Sequence, residues 1–112
     1  KPIVDVNQSG WDGVRPIHIA SYRGNLAEVE ALVEGRADVN AAGDIMASTP
    51  LHDAAMQGHA EVIRFLLAHG AEPGTRDKFG HTPLETALVY KHADAAKVLE
   101  PVSPPPSNAT SG

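Results

Sequence analysis

The chain has 112 residues, of which 42% are hydrophobic and 21% are charged, and its formal net charge is −5. This length gives room for a single domain, and the hydrophobic content is sufficient for a packed core. The negative charge argues against binding to nucleic-acid phosphates or to an anionic membrane surface. The chain has no cysteine, which excludes disulfides and cysteine-ligated zinc. No apolar run approaches the roughly 20 residues of a membrane span, and we expect an intracellular protein, cytoplasmic with a nuclear location as the alternative.

Three segments of the chain align with one another at a nearly constant spacing. Residues 15–20 (RPIHIA), 49–54 (TPLHDA) and 82–87 (TPLETA) share a proline at their second position, and the prolines are 34 and 33 positions apart. An apolar segment follows each of them at the same offset. A fixed period of between about 20 and 50 residues is typical of solenoid proteins. The sequence therefore predicts an all-α repeat solenoid.

Taken in chain order, the predicted elements begin with the remnant of a truncated repeat and end with a capping repeat. Residues 4–7 (VDVN) match residues 37–40 (ADVN), so we expect further helical repeat sequence before Lys1 in the natural protein. The final predicted helix, which is the second helix of the last repeat, runs from Ala93 to Glu100, is short and polar, and is expected to stop at Pro101. The predicted boundaries are a finger remnant at 1–9, repeats at 10–43 and 44–76, a C-terminal capping repeat at 77–100, and a flexible Pro- and Ser-rich tail at 101–112 that could also serve as a polyproline ligand.

Each full repeat is expected to contain two helices joined by a tight turn. Thr49 and Thr82 can cap a first helix with their hydroxyl groups, and the proline that follows suits the first helical position. Gly24 and Gly58 permit the turn into the second helix. Small apolar residues follow on the first helix and larger ones on the second, at helical spacing.

At this point the sequence resembles the ankyrin repeat, through residues 49–59 (TPLHDAAMQGH) and the Leu-Leu and Gly-Ala pairs that follow them. The resemblance covers residues 1 to about 100. It implies ankyrin-type helix–turn–helix units with short β-turn fingers, stacked side by side and used mainly for protein recognition. The departures from the pattern are Arg15 in place of the capping threonine, Arg36 and Lys91 in place of turn glycines, Ala47 in place of the finger glycine, and Glu85 in place of the histidine. We expect a weaker cap at Arg15 and a finger turn of altered shape at Ala47.

The six histidines do not predict a metal site. His18 and His52 occupy equivalent positions, so their backbones should lie roughly 8–10 Å apart, whereas zinc ligands approach the ion to about 2.1 Å. The resemblance implies a structural role in which these histidines bond finger backbone to the start of a helix. His69, His81 and His92 are expected at the surface. The segment that follows His59 lacks the second histidine of a zinc-protease helix, so His59 does not predict a metal site either. With no nucleophile elbow and no phosphate-binding loop, we expect no catalytic residue, cofactor or metal.

The resemblance implies that a partner binds in a concave groove lined by the finger tips and the first helices. Four of the five aromatic residues and both methionines fall at these positions. Contiguous exposed apolar residues usually mark an interaction site, although packing of neighbouring fingers against one another is an alternative explanation. The predicted protein-binding residues are Trp11, Asp12, Tyr22, Arg23, Ile45, Met46, Met56, Gln57, Lys78, Phe79 and Tyr90.

Arg23 and Lys78 add positive charge at the rim of this groove, so the predicted partner is an apolar or partly acidic peptide or helix. We expect a monomer, with self-association through the truncated N-terminal face as the alternative. Three other functions compete with this protein-binding module. They are a regulatory or targeting appendage of an enzyme whose catalytic domain lies outside these residues, an RNA-binding surface, which the net charge disfavours, and a structural spacer, which the groove aromatics disfavour.

Overall fold

The structure, a computed structural model, describes residues 16–42 and 47–102. Within these ranges all regular secondary structure is helical, which confirms the predicted all-α class. The finger remnant at residues 1–9 and the helix cap at Arg15 lie outside the described residues. The helices are α1 (Pro16–Arg23), α2 (Leu26–Glu34), α3 (Pro50–Met56), α4 (Ala60–Ala68), α5 (Pro83–Val89) and α6 (Ala93–Leu99), and a 3₁₀ turn follows at Glu100–Val102.

The helices form two layers that run along the stack of repeats. The first helices of the repeats, α1, α3 and α5, pack side by side, and the second helices, α2, α4 and α6, pack in the layer behind them. The core lies between the layers, where Leu51, Ile63, Leu66 and Leu99 are fully buried. Burial of one such side chain contributes about 1.5–3 kcal/mol. Small alanines on the first helices allow these helices to approach one another closely.

Capping boxes begin the first helices of the second and third repeats. The Thr49 hydroxyl accepts the His52 N–H (3.4 Å), and His52 Nδ1 accepts the Thr49 N–H (3.1 Å). In the next repeat Thr82 makes the same exchange with Glu85, whose carboxylate accepts the Thr82 N–H at 2.9 Å. Each hydroxyl cap is worth about 1 kcal/mol. The replacement of histidine by glutamate at position 85 therefore preserves the cap.

The turn between the two helices of each repeat has a residue in the left-handed region. Its φ is +74° at Gly24, +76° at Gly58 and +62° at Lys91. A Cβ atom at Gly58 would lie 2.6 Å from Nδ1 of His92 in the following repeat, and a Cβ atom at Gly24 would lie even closer to Nδ1 of His59. The two glycines are therefore required by crowding as well as by their φ angle. His92 was expected at the surface, but it is half-buried because its ring packs on this turn.

Ala47 keeps the backbone conformation of the glycine that it replaces. Its φ is +55°, and Gly80, at the equivalent position of the next finger, has a φ of +81°. The expected change of shape at Ala47 is therefore not seen in its φ angle. Arg36 is also left-handed, with a φ of +72°, although Gly35 precedes it. The chain thus tolerates a side chain where the fold favours glycine.

Two buried histidines join each repeat to the next finger. His18 Nε2 lies 2.8 Å from the carbonyl oxygen of Ala41 and 3.0 Å from that of Ser48, so it bridges the two sides of the following finger. His52 Nε2 donates to the carbonyl of His81 at 2.7 Å. The predicted structural role of His18 and His52 is confirmed, and their bonds cross from one repeat to its neighbour.

A third link lies at the opposite end of the repeats. The Asn40 amide donates to the Gly70 carbonyl (3.1 Å) and accepts the Glu72 N–H (2.7 Å). His59 Nε2 adds a bond to the Tyr22 carbonyl at 3.0 Å. The stacking of the repeats is thus stabilised by side chains that bond to the main chain of a neighbouring repeat.

Candidate functional site

Nine residues occupy equivalent positions on the first helices of the three repeats. They follow the i, i+3, i+4 spacing that places side chains on one face of a helix. We call this surface the first-helix face. Its rows are Ile19, Tyr22 and Arg23 from α1, Asp53, Met56 and Gln57 from α3, and Thr86, Val89 and Tyr90 from α5.

The two outer rows of the first-helix face expose large apolar side chains. Tyr22 and Ile19 in the α1 row are 47% and 43% exposed, and Val89 and Tyr90 in the α5 row are 58% and 50% exposed. Such a grouping is costly to leave in water and is typical of an interaction surface. The structure therefore exposes Tyr22 and Tyr90, as the sequence predicted.

The middle row is less accessible because α3 has a first helix on each side. Met56 was predicted to be exposed in the groove, but it is half-buried, and Asp53 is half-buried beside it. Gln57, at the end of α3, remains exposed, as does Arg23 in the α1 row. A partner can therefore contact only part of the Met56 side chain.

One finger is described in the structure, at residues 77–81. The Asp77 N–H donates to the His81 carbonyl (2.9 Å), and the Asp77 carboxylate accepts the N–H groups of Phe79 (2.9 Å) and His81 (3.0 Å). This geometry confirms a short β-turn finger in this repeat. Lys78 and Phe79 are exposed at its tip, Phe79 by 60%, while His81 is half-buried rather than at the surface as expected.

The other predicted binding residues cannot be placed on this surface. Trp11 and Asp12 precede the first described residue, and Ile45 and Met46 fall in the gap between residues 42 and 47. They lie outside the described residues. The structure thus describes seven of the eleven predicted binding residues: Tyr22, Arg23, Met56, Gln57, Lys78, Phe79 and Tyr90.

Asp53 carries the most perturbed carboxyl group of the first-helix face. Burial raises its pKa from 3.8 to about 7. Asp53 lies in the first turn of α3, where the helix dipole favours a carboxylate by about 0.3–1 kcal/mol. At about 1.4 kcal/mol per pKa unit, the loss of hydration outweighs the dipole. In the described part of the chain the only ion pair joins Arg76 to Glu85, so no cation compensates Asp53.

His52 precedes Asp53 and is fully buried. Burial lowers its pKa below the usual 6.5, although the hydrogen bond to the His81 carbonyl acts in the opposite direction. Because Nδ1 accepts the Thr49 N–H, the proton of the neutral ring is on Nε2. Protonation of Nδ1 would break that cap, so the neutral ring is the structural form.

Sequence reasoning left four members of the first-helix face out of the predicted binding residues: Ile19, Asp53, Thr86 and Val89. Ile19 and Asp53 each lie three residues before a predicted binding residue, and Thr86 lies four residues before Tyr90, so helical spacing would have identified these three. It also missed Leu88, which is 55% exposed although Ser21 and Ala55, its equivalents in the other repeats, are fully buried. Asp94 and Lys97 make the second helix of the last repeat polar as predicted, and Glu100 follows in the 3₁₀ turn. The first helix of the same repeat, in contrast, exposes Leu88.

No group of three or more histidine or acidic side chains is arranged to hold a metal ion in residues 16–42 and 47–102. Among the described helices, none has the length and apolar character needed to cross a membrane. The arrangement of side chains on the first-helix face is suited to binding.

Comparison with known proteins gives one family and several relatives. The model of ankyrin repeats, in three copies, matches residues 17–103. Serine/threonine-protein kinase 12 of Arabidopsis thaliana is 38% identical over 88 residues, which is 79% of this chain and 19% of that protein. The 2-5A-dependent ribonuclease of Mus musculus is 42% identical over 64 residues, covering 57% of this chain and 9% of the relative. Rabankyrin-5 of Mus musculus is 37% identical over 89 residues, covering 79% and 8% respectively. The chain therefore spans less than a fifth of the length of each of these relatives.

Proposed function

Because the chain belongs to the ankyrin repeat family, whose repeats are protein–protein interaction modules, we propose that it binds a partner protein on the first-helix face and the neighbouring finger tips. The observation that carries this proposal is the exposure of Ile19, Tyr22, Val89 and Tyr90 at equivalent positions of two first helices. Tyrosine commonly contributes a large share of the binding energy at protein interfaces.

The charges around this surface support a partner with apolar and some acidic character. Arg23 is exposed at the end of α1, and Lys78 is exposed on the finger at 77–81. Both lie beside large exposed apolar residues, Tyr22 and Phe79 respectively. Opposite charges placed at the edge of an interface guide the encounter and fix the register of the partner. The proposed partner is thus a peptide or helix whose acidic residues meet these two cations.

A second candidate function is a regulatory or targeting appendage of a larger enzyme. Two relatives are named as a kinase and a ribonuclease, and the matched region is 19% and 9% of their lengths. In this function the repeats are themselves non-catalytic, and the first-helix face binds either the enzyme or its target. Ankyrin repeats are non-catalytic modules, so both candidates use this chain for binding. For both candidates we propose an intracellular location.

The experiment that tests the proposal compares two matched double variants as bait in affinity purification from a lysate. Tyr22→Ala/Tyr90→Ala removes exposed aromatic rings from the first-helix face. Glu30→Ala/Arg64→Ala removes two exposed side chains from the second helices. Met56 is left unchanged because it is half-buried and its truncation would also disturb packing.

The proposal predicts a protein retained by the native chain and by the second-helix variant but lost by the tyrosine variant. Direct titration of that protein should show a loss of about 10-fold or more for the tyrosine variant, because truncation of an interface hot spot costs about 2 kcal/mol. Circular dichroism must show that both variants keep their helices. Equal retention by both variants would show that the binding surface lies elsewhere.

A further inference from the structure

Asp53 differs from every other member of the first-helix face. The equivalent positions in the neighbouring repeats hold Ile19 and Thr86, which are uncharged, and Met56 lies beside it on α3. Asp53 is half-buried, on a helix that packs against both α1 and α5. A carboxyl group thus occupies the middle row of a surface whose outer rows expose large apolar side chains.

The carboxyl group of Asp53 has no partner in the described part of the chain. The single ion pair there, Arg76 to Glu85 at 3.4 Å, lies at the third finger. Among the described residues no side chain or main-chain N–H donates a hydrogen bond to the Asp53 carboxylate, and burial is the only cause that acts on its pKa. Thr86, at the equivalent position of α5, also has a buried hydroxyl group that makes no hydrogen bond in the structure.

A partner that covers this surface removes the remaining water from Asp53. Burial of a carboxylate without a compensating group is strongly unfavourable, so a purely apolar partner would bind weakly over the middle row. A guanidinium or ammonium group supplies both charge and hydrogen-bond donors, and guanidinium matches the two carboxylate oxygens.

We propose that Asp53 determines the specificity of the first-helix face by pairing with an arginine or lysine of a partner peptide, flanked there by apolar residues that contact Tyr22 and Tyr90. This inference rests on the proposed function, because it names the chemistry of the ligand at that same surface. The basic residue meets the middle row, while acidic residues of the partner meet Arg23 and Lys78 at the edges. The partner segment is therefore of mixed charge.

The probe for this proposal is a phage-displayed library of random linear peptides, selected against the native chain and against Asp53→Asn. Asparagine keeps the shape of the side chain and removes its charge. The matched control is Glu30→Gln, which removes one exposed carboxylate from α2. Peptides that bind the native chain but not Tyr22→Ala/Tyr90→Ala are taken to bind the first-helix face and are called face-dependent. Circular dichroism confirms the fold of each variant.

The expected result is an enrichment of arginine or lysine among the face-dependent peptides selected by the native chain. Asp53→Asn should weaken these peptides about 10- to 100-fold, and Glu30→Gln should leave their affinity unchanged. Replacement of the basic peptide residue by glutamate should abolish binding to the native chain. Asp53→Lys should restore binding of that glutamate peptide, which a merely structural role of Asp53 would not do.

Two other results are distinguishable. Face-dependent peptides without a basic residue, or peptides that bind Asp53→Asn as tightly as the native chain, would overturn the role of Asp53 and leave the proposed function intact. A selection that yields no peptide dependent on Tyr22 and Tyr90 would overturn the proposed peptide-binding face and the role of Asp53 together.

Discussion

Replacement of Lys91 by glycine should stabilise the protein. Lys91 has a φ of +62° at the turn where the other repeats have Gly24 and Gly58. A left-handed conformation costs a residue with a Cβ atom about 1–2 kcal/mol. Glycine relieves this cost but gains about 0.4–1 kcal/mol of conformational freedom in the unfolded chain. The difference predicts a gain of about 0.5–1 kcal/mol for Lys91→Gly, equivalent to about 2–8 °C in Tm for a domain of this size.

The assay is urea unfolding followed by far-UV circular dichroism, with an unchanged m-value as evidence that the denatured state is unaffected. The matched control is Gly58→Ala at the same turn of the preceding repeat. There an added Cβ would lie 2.6 Å from His92 Nδ1 as well as adopting a positive φ, so the control should lose at least about 1–2 kcal/mol. A loss of stability in Lys91→Gly would refute the reasoning, because it would show that the lysine side chain contributes more than its backbone conformation costs.

Three further predictions concern the adjacent residues His52 and Asp53. His52→Ala should lower the free energy of unfolding by about 2–4 kcal/mol in the same urea assay. The reason is that it removes the hydrogen bond to the His81 carbonyl and half of the Thr49 capping box. A loss below about 1 kcal/mol would contradict this prediction. Since burial raises the pKa of Asp53 to about 7, the contribution of Asp53 to stability is greatest below pH 3.8 and declines as the pH rises through about 7. Asp53→Asn should therefore stabilise the protein by about 1–3 kcal/mol at about pH 8 and by much less at about pH 4. An equal effect at both pH values would be inconsistent with the raised pKa. Since burial lowers the pKa of His52, the His52 ring takes up a proton in the unfolded chain before it does so in the folded chain as the pH falls below 6.5. The Asp53→Asn variant should therefore lose more stability between about pH 7 and pH 5 than the double variant Asp53→Asn/His52→Gln. Parallel plots of unfolding free energy against pH for the two variants would exclude this effect of His52.

Local signals in the sequence were sufficient to predict the helices and their caps. The Thr-Pro pairs begin α3 and α5, and the spacing of apolar residues defines the face that is buried. These features depend on neighbours within a few positions along the chain. The structural role of His18 and His52 came from the family resemblance, since the carbonyl groups that they bind lie 23 to 30 positions away.

The properties that sequence reasoning missed depend on neighbouring repeats. Met56 lies on the predicted face, but its burial results from the first helices on either side of α3. The raised pKa of Asp53 has the same origin, since burial is its cause. Leu88 is exposed because no described residue covers the position at which Ser21 and Ala55 are buried. Periodicity along one helix places a residue on a face, whereas its accessibility depends on how the helices are packed.

The links between successive repeats have a consequence for how such a surface can change during evolution. His18, His52, His59 and Asn40 bond to carbonyl and N–H groups, which every residue at the receiving positions other than proline can supply. Substitution of the receiving side chains therefore leaves these junctions intact. The exposed residues of the first-helix face are free to diversify toward a new ligand while the junctions hold the architecture constant. A repeat could in the same way be duplicated or exchanged without a matching change of side chains in its neighbour.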